Sequence, residues 1–200
     1  MASDRIPAIT GLGKEIASIA GTKFVNGMFK PTSAVELSWE RRSSQPMRRI
    51  PGIPSWSWAS LEQRVLFSHS TANFQLLARR ATVDGQQIHI CGRLGNLPVT
   101  SFDSFSQRWY SSREQHSDER ISFDVEQDAP QGEEGICRCV QWMKWQDRDY
   151  CSPWHPMETW LGIILISAVD EAQQIYRRIG WAEILDGQYF DEDFTDITLI

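Results

Sequence analysis

The spacing of apolar residues predicts that the chain starts with an amphipathic helix. Apolar side chains recur at three- and four-residue intervals, at Ile9, Leu12, Ile16 and Ile19. These intervals place them on one face of a helix. Pro7 near the start and Gly21 just past the end are residues expected at the two ends of such a helix.

A second short helix is predicted after Pro31. Its apolar positions are Ala34, Val35, Leu37 and Trp39, and a polar run over residues 40–45 ends it. Together the two helices make a lead-in over residues 1–49.

From residue 50 onwards, alternating or continuous apolar runs predict strands. The predicted strands cover residues 50–61, 64–69, 74–83, 86–94, 121–125, 136–145, 160–168, 174–185 and 197–200. The first two are expected to form a hairpin. Asp84-Gly85 predicts a second one, with Ile88 and Ile90 facing the core or, after a one-residue slip, His89 and Cys91. Residues 96–120, rich in Ser, Gln, Arg and Glu, are predicted to be a long loop, with disorder as the alternative.

These elements predict an α+β fold that is mainly β. Two short helices precede antiparallel hairpins that form a sheet, a sandwich or a partly open barrel. Because 200 residues suffice for one sizeable core, residues 1–49 and 50–200 are expected to form one compact unit.

The most distinctive stretch is Pro54-Ser55-Trp56-Ser57-Trp58-Ala59-Ser60, called the tryptophan block below. Alternation of Trp with Ser has the period of a strand. This period predicts that Trp56 and Trp58 share one face and pack in the core, clamping the helical lead-in to the sheet.

Composition and charge narrow the classes of partner. The chain is 41% hydrophobic and 23% charged, which is typical of a globular protein, and its net charge is −6 without a basic block. Nucleic acid is therefore not expected as a partner. No run reaches the roughly 18 apolar residues of a membrane helix, and the first residues lack a signal peptide. These two features predict a cytoplasmic protein with free thiols rather than disulfides.

The cysteines suggest a metal site that the spacing disfavours. Cys137, Cys139, Cys151 and His155 offer the ligand types that zinc prefers. Structural zinc sites favour two or more residues between paired cysteines, whereas residues 137 and 139 share a strand face. Buried or idle thiols are the preferred interpretation.

No local sequence motif supports any other catalytic arrangement. Cysteine and histidine chemistry would draw on Cys91 or Cys151 with one of the four histidines, and no nucleophile motif surrounds them. Two acidic clusters lie in or near predicted turns and are interpreted as solvated charge. Their members are Glu126, Asp128, Glu133 and Glu134 in one and Asp191, Glu192 and Asp193 in the other. No catalytic residue and no cofactor are predicted.

Two further features are candidates for binding. Trp109 and Trp154 lie in predicted loops and are the best candidates for an exposed aromatic platform. Arg177 and Arg178 are adjacent on a predicted strand and point to opposite faces. One of them is expected to face inward, paired with Glu183 or an aromatic ring, and structural pairing is favoured over ligand binding.

The tryptophan block resembles the segment that follows the heterokaryon-incompatibility (HET) domain in many filamentous-fungal proteins. Three other segments also resemble parts of that family: Asp4 to Leu12, Leu37-Ser38-Trp39, and Tyr176-Arg177-Arg178-Ile179-Gly180. The resemblance implies that the matching residues, including Tyr176, Arg177, Arg178 and Gly180, are structural. It also implies a role in fungal non-self recognition and the associated cell-death response.

The signature motifs of the HET domain itself lie upstream in the family and are not found in this chain. The expected identity is therefore a non-enzymatic companion region: a fragment, a truncated gene model or a stand-alone derivative. Its expected partner is a protein, either a HET domain in the same polypeptide or a separate chain. The alternatives are an independent domain that binds carbohydrate or peptide and, less favoured, an unrecognised hydrolase.

Overall fold

The computed structural model describes most of the 200 residues. The described residues are 2–30, 36–41, 48–62, 65–67, 74–103, 108–111, 120–129, 135–146, 159–185 and 189–200. Within them the fold is mainly β, with antiparallel ladders and one parallel pairing between strands. Among the described residues, no helix is long and apolar enough to cross a membrane.

One α-helix, α1 (Ala2–Ile19), opens the chain. It extends further towards the N-terminus than the spacing predicts, so Pro7 lies inside it. The helix is followed by Gly21, whose φ of 65° is the left-handed conformation that glycine tolerates at a helix end. The second predicted helix does not extend to Trp39 as expected, because Trp39 begins a strand. Glu36 is helical, whereas Ala34 and Val35 lie outside the described residues.

Thirteen strands follow α1 in the described chain. The short ones are β1 (Phe24–Val25), β2 (Met28–Phe29), β3 (Trp39–Arg41), β4 (Val65–Phe67), β5 (Phe74–Leu76), β6 (Arg80–Asp84), β8 (Arg108–Ser111) and β9 (Arg120–Phe123). The long ones are β7 (Gln87–Asp103), β10 (Gly135–Gln146), β11 (Thr159–Asp170), β12 (Ile175–Leu185) and β13 (Phe190–Leu199). The lead-in is thus partly extended, since β1, β2 and β3 lie within residues 1–49.

The large sheet has nine strands, and its main path is β13-β7-β8-β9-β12-β11-β10-β5. β6 pairs with β7, and further pairings join β7 to β10 and β12 to β13. β1 with β2, and β3 with β4, form separate two-stranded sheets.

The hairpin predicted at Asp84-Gly85 is confirmed. β6 and β7 are antiparallel with Asp84 opposite Gln87, and Gly85 has a φ of 56°. Ile88 and Ile90 are buried as predicted in the first register.

Three predictions about the strands are wrong. β4 pairs with β3 and not with the tryptophan block. The predicted loop over residues 96–120 contains the second half of β7 and all of β8. The last strand, β13, starts at Phe190 and is longer than the brief strand 197–200.

Two apolar clusters lie on opposite faces of β11. Ile163 and Leu165 belong to one cluster, with side chains from β7, β9, β10 and β12. Ile164 and Ile166 belong to the other, which also contains Trp56. Burial on both faces explains why β11 is a continuous apolar run rather than an alternating one.

Candidate functional site

The tryptophan block is a closed loop rather than a strand. Arg49 and Leu61 form an antiparallel bridge. Next to this bridge the Ile50 amide donates to the Ser60 carbonyl at 2.7 Å. The loop therefore begins and ends at neighbouring positions, residues 49–50 and 60–61. Gly52 has a φ of 81°, a conformation that glycine tolerates and that lets the backbone reverse direction within the loop.

Serine side chains give the loop its internal structure. The Ser57 amide donates to the Pro54 carbonyl at 3.0 Å. Ser57 Oγ then accepts from the Ala59 amide at 3.1 Å, which makes Ser57 the N-cap of a 3-10 turn over Trp58–Ser60. The alternation of Trp and Ser thus reflects a capped turn, and the predicted strand is wrong.

The two indoles of the block have different surroundings. Trp56 is fully buried, and its Nε1 donates to the Gln86 carbonyl at 3.0 Å, beside the β6–β7 turn. Trp58 is half-buried, and its Nε1 donates to the Gly27 carbonyl at 2.7 Å. Its ring meets Phe67 edge-on at 6.4 Å. The block therefore connects the β1–β2 turn to the large sheet.

Ser55 binds the block to the last strands of the chain. Its Oγ accepts from the Arg178 amide at 2.9 Å and donates to the Ile200 carbonyl. The Ser55 amide donates to the same Ile200 carbonyl at 3.2 Å. One buried serine thus joins segments more than 120 positions apart.

Arg178 is a completely buried charge. Its Nε lies 3.3 Å from Oδ2 of Asp124, and both of its Nη atoms donate to the backbone carbonyls of Leu37 and Trp39. The guanidinium carbon lies 3.5 Å from the centre of the Trp39 ring, a cation–π contact. Burial lowers the pKa of Arg178 to about 10, against the stabilising charge of Asp124, so the side chain is cationic at neutral pH.

Arg49 links the same acids to the tryptophan block. Its Nη1 donates to the Ser55 carbonyl at 3.1 Å and to Ser60 Oγ at 3.3 Å. Its Nη2 lies 3.1 Å from Oδ2 of both Asp124 and Asp128, and 2.7 Å from the Arg178 carbonyl.

Asp128 completes the cluster. It ends the 3-10 turn Glu126–Asp128, and its Oδ1 lies 2.9 Å from Nη2 of Arg177. Burial raises the pKa of Asp128 above its ordinary value, although the charges of Arg49 and Arg177 act in the opposite direction. The acidic turn predicted to be solvated thus contributes a buried carboxylate.

We call this cluster the arginine–aspartate junction. Its members are Arg49, Ser55, Asp124, Asp128, Arg177 and Arg178. Three guanidiniums face two carboxylates, which leaves one net positive charge. Both carboxylate side chains are buried, whereas the side chains of Arg177 and Arg49 are 46% and 20% exposed, so Arg177 is the member most open to solvent. Oδ1 of Asp124 is buried without a hydrogen-bond partner, so one hydrogen-bond acceptor of the junction is unpaired.

The inward arginine predicted from the sequence is therefore Arg178. The aromatic partner is confirmed, since Arg178 lies on Trp39, but the acidic partner is Asp124 and not Glu183. Sequence reasoning missed Arg49 and Asp124. One feature of the sequence could have identified Asp124 as a buried partner: it is the single acidic residue in the predicted strand 121–125.

Tyr176 and Gly180, also singled out by the resemblance, flank the junction on β12. Tyr176 is buried, and its carbonyl accepts from the Ile200 amide at 3.0 Å. Gly180 lies opposite Phe123 of β9, where the backbones are close together.

Replacing Gly180 with Ala is expected to destabilise the fold by ~1–3 kcal/mol. A Cβ there would lie 2.4 Å from the Ser122 carbonyl oxygen, so β9 would have to move. Gly11→Ala is the matched control, because its Cβ would meet nothing within 4 Å and alanine favours a helix by ~0.5–1 kcal/mol. Urea unfolding curves should shift in opposite directions, and an unchanged midpoint for Gly180→Ala would contradict the β9–β12 contact.

Cys137 and Cys139 share one face of β10 as predicted and point into an apolar cluster. Burial raises the pKa of Cys137 to about 11 and that of Cys139 further. Cys151 and His155, the other two residues of the metal candidate, lie outside the described residues. No group of three or more potential ligands among His, Cys, Asp and Glu could hold a metal ion in the described part of the chain.

These pKa values predict inert thiols. At pH 8 a thiol with a pKa of about 11 is ionised in a fraction on the order of 10⁻³, and only the thiolate reacts readily. Iodoacetamide followed by peptide mapping should leave Cys137 and Cys139 unmodified in the native protein and alkylate both in urea. Alkylation of native Cys137 at the rate of a free cysteine would show that this face of β10 is exposed to solvent, which would contradict the burial described above.

The aromatic platform candidates are not brought together by the described structure. Trp109 belongs to β8, where it lies opposite Phe102 of β7. Trp154 lies outside the described residues.

Comparisons with known proteins identify no relative. No protein-family model, no curated protein and no solved structure matches the chain.

Proposed function

We propose that the chain is a non-enzymatic interaction region of a heterokaryon-incompatibility-type protein. In this role it takes part in fungal non-self recognition and the cell-death response, inside the cell. Its partner is a protein: a HET domain in the same polypeptide or on a separate chain.

The observation that carries the proposal is the contact between two segments that resemble the family. The tryptophan block and the Tyr176–Gly180 segment are distant in sequence, yet Ser55 Oγ accepts directly from the Arg178 amide at 2.9 Å. Trp39, the end of a third resembling segment, stacks on the Arg178 guanidinium. The three resembling segments thus meet in one buried contact, which supports the proposal that they belong to the same structural unit.

The chemistry of the junction favours a structural role over catalysis. A general acid or base must reach its substrate, whereas the carboxylates of Asp124 and Asp128 are buried against arginines. Charged groups held in this way position the backbone segments that they join.

The strand pairing of the large sheet also suits an interaction region. The pairings of β7, β8, β9, β12, β11 and β10, with β10 returning to β7, support a small closed barrel around the cluster that contains Ile163 and Leu165. Closure would remove free strand edges from this part of the sheet.

Binding to HET domains tests the proposal. The full chain is immobilised for biolayer interferometry, and purified HET domains from filamentous fungi are titrated to about 100 μM, enough to detect a weak complex. Saturable binding to at least one HET domain, absent with an unrelated β domain of similar size, is expected. Failure of every HET domain to bind, with glycans or peptides binding instead, would contradict it.

A further inference from the structure

Two arginines contact the same aromatic ring at the surface of the large sheet. The guanidinium carbon of Arg79 lies 3.7 Å from the centre of the Phe194 ring, and that of Arg93 lies 5.1 Å from the same centre. Both distances are within the range of cation–π contacts. The two guanidinium carbons are therefore at most 8.8 Å apart, the sum of these distances.

An irregularity between β5 and β6 turns Arg79 towards this surface. The amides of Leu77 and Ala78 both donate to the Trp142 carbonyl, at 2.8 and 3.4 Å, so the chain departs from a regular strand here. In a regular strand the adjacent residues Arg79 and Arg80 would point to opposite faces. Here both are exposed.

A bulge in β13 brings the ring to the same place. Phe190 lies opposite Gly95 of β7, and Phe194 lies opposite Arg93, so residues 191–193 are left out of the pairing. Phe194 is only half-buried. Its ring is thus covered in part by the two arginines rather than by the apolar core.

The two guanidiniums lack a counter-charge within the described residues. Arg80, next to Arg79, pairs with Asp196 at 3.0 Å. In the part of the chain that the structure describes, the guanidiniums of Arg79 and Arg93 form neither an ion pair nor a hydrogen bond, and Nε of Arg93 is buried without a partner. Stacking uses the face of a guanidinium, so the N–H donors at its edge remain available to a ligand.

We propose that Arg79 and Arg93 bind one phosphate monoester group between them, with Phe194 holding both guanidiniums in position. Two neighbouring cations without a counter-charge repel each other, and a bound dianion removes this repulsion. A phosphate monoester carries a charge of about −1.5 to −2 and three acceptor oxygens, which matches two guanidiniums. A carboxylate would neutralise only one of them. Clusters of arginine are a recurring means of binding phosphorylated groups.

The acids around the arginine pair limit the size of the ligand. Residues 191–193 are all acidic and exposed, and Asp196 is exposed as well. A polyanion such as a nucleic acid or an anionic membrane surface would be repelled by these carboxylates. A single phosphate group on a small molecule or on a side chain of a partner avoids most of this repulsion. This inference does not depend on the proposed HET partner.

Titration of the isotope-labelled full chain with inorganic phosphate, followed by NMR at constant ionic strength, tests the site. The side-chain signals of Arg79 and Arg93 are expected to shift saturably, with a Kd of about 1 mM. Arg79→Gln should weaken binding by at least ~10-fold. Arg80→Gln is the matched control, since it removes the same charge from the adjacent residue, and should change the Kd by less than ~2-fold. Phe194→Leu keeps both cations and should weaken binding by ~2–5-fold.

A phosphoserine peptide, with its serine and glutamate counterparts, identifies the source of the phosphate. Tighter binding of the phosphopeptide than of inorganic phosphate would indicate a phosphorylated side chain, and equal binding would indicate a small phosphorylated molecule. The serine and glutamate peptides are expected to bind at least ~10-fold more weakly than the phosphopeptide. Absence of saturable phosphate binding, equal affinity for the glutamate peptide and the phosphopeptide, or equal losses from Arg79→Gln and Arg80→Gln would overturn the proposal.

Discussion

Arg178→Met is expected to destabilise the protein by ~3–5 kcal/mol, the cost of removing one partner of a buried ion pair. The substitution leaves Asp124 without the Nε contact at 3.3 Å. It also removes both donors to the Leu37 and Trp39 carbonyls. Methionine keeps much of the side-chain volume, so most of the loss comes from unpaired polar groups rather than from a cavity. Chemical denaturation at pH 7 measures the change in the free energy of unfolding.

Arg177→Met is the matched control for Arg178→Met. It changes the adjacent residue of the same strand, whose side chain is 46% exposed and pairs with Asp128. A half-exposed ion pair contributes ~0–1 kcal/mol. Equal losses from the two variants would mean that residue 178 is not buried as described.

Trp56→Ala is expected to cost ~3–5 kcal/mol, as for other fully buried large aromatic side chains. The indole lies in the larger apolar cluster, and its Nε1 hydrogen bond to the Gln86 carbonyl is lost with it. Removal should therefore leave a cavity beneath the β6–β7 turn and an unpaired carbonyl. Thermal unfolding followed by circular dichroism measures the loss.

Trp58→Ala gives the comparison within the same loop. Its ring is half-buried, so the expected loss is smaller, although the hydrogen bond to the Gly27 carbonyl also disappears. A melting temperature of Trp56→Ala equal to that of the wild type would show that the ring is exposed. It would also favour the alternative of a ligand-binding wall.

The apolar runs and the hairpin signal predicted much of the sheet. Residues 160–168 lie within β11 and residues 175–185 form β12, because β11 is buried on both faces and β12 pairs with it along most of its length. The turn at Asp84-Gly85 could be predicted because a tight hairpin needs a residue that tolerates positive φ, and Gly85 is such a residue. Local signals of this type do not depend on distant contacts.

The tryptophan block was wrongly predicted to be a strand, because strands and capped turns can have the same alternation of residues. Alternation of large and small residues indicates a strand, but here the small residues act through their hydroxyl groups. Ser57 caps a turn and Ser55 binds the Arg178 amide. Helix caps and strands both accept serine, so spacing alone could not distinguish them.

The junction was only partly predictable. The adjacent arginines 177 and 178 implied that one of them faces inward, and this followed from strand geometry alone. Their partners come from residues 49, 124 and 128, which no local pattern connects to them. Only the tertiary fold brings these residues together.

The central role of the Arg178–Asp124 pair is tested most directly by a double-mutant cycle. The four proteins are the wild type, Arg178→Met, Asp124→Leu and the double variant, compared by urea denaturation. Two residues that pair in the interior should show a coupling energy of ~2 kcal/mol or more, with the double variant more stable than Arg178→Met alone. Additive losses, with a coupling energy near zero, would contradict the pair and the junction built on it.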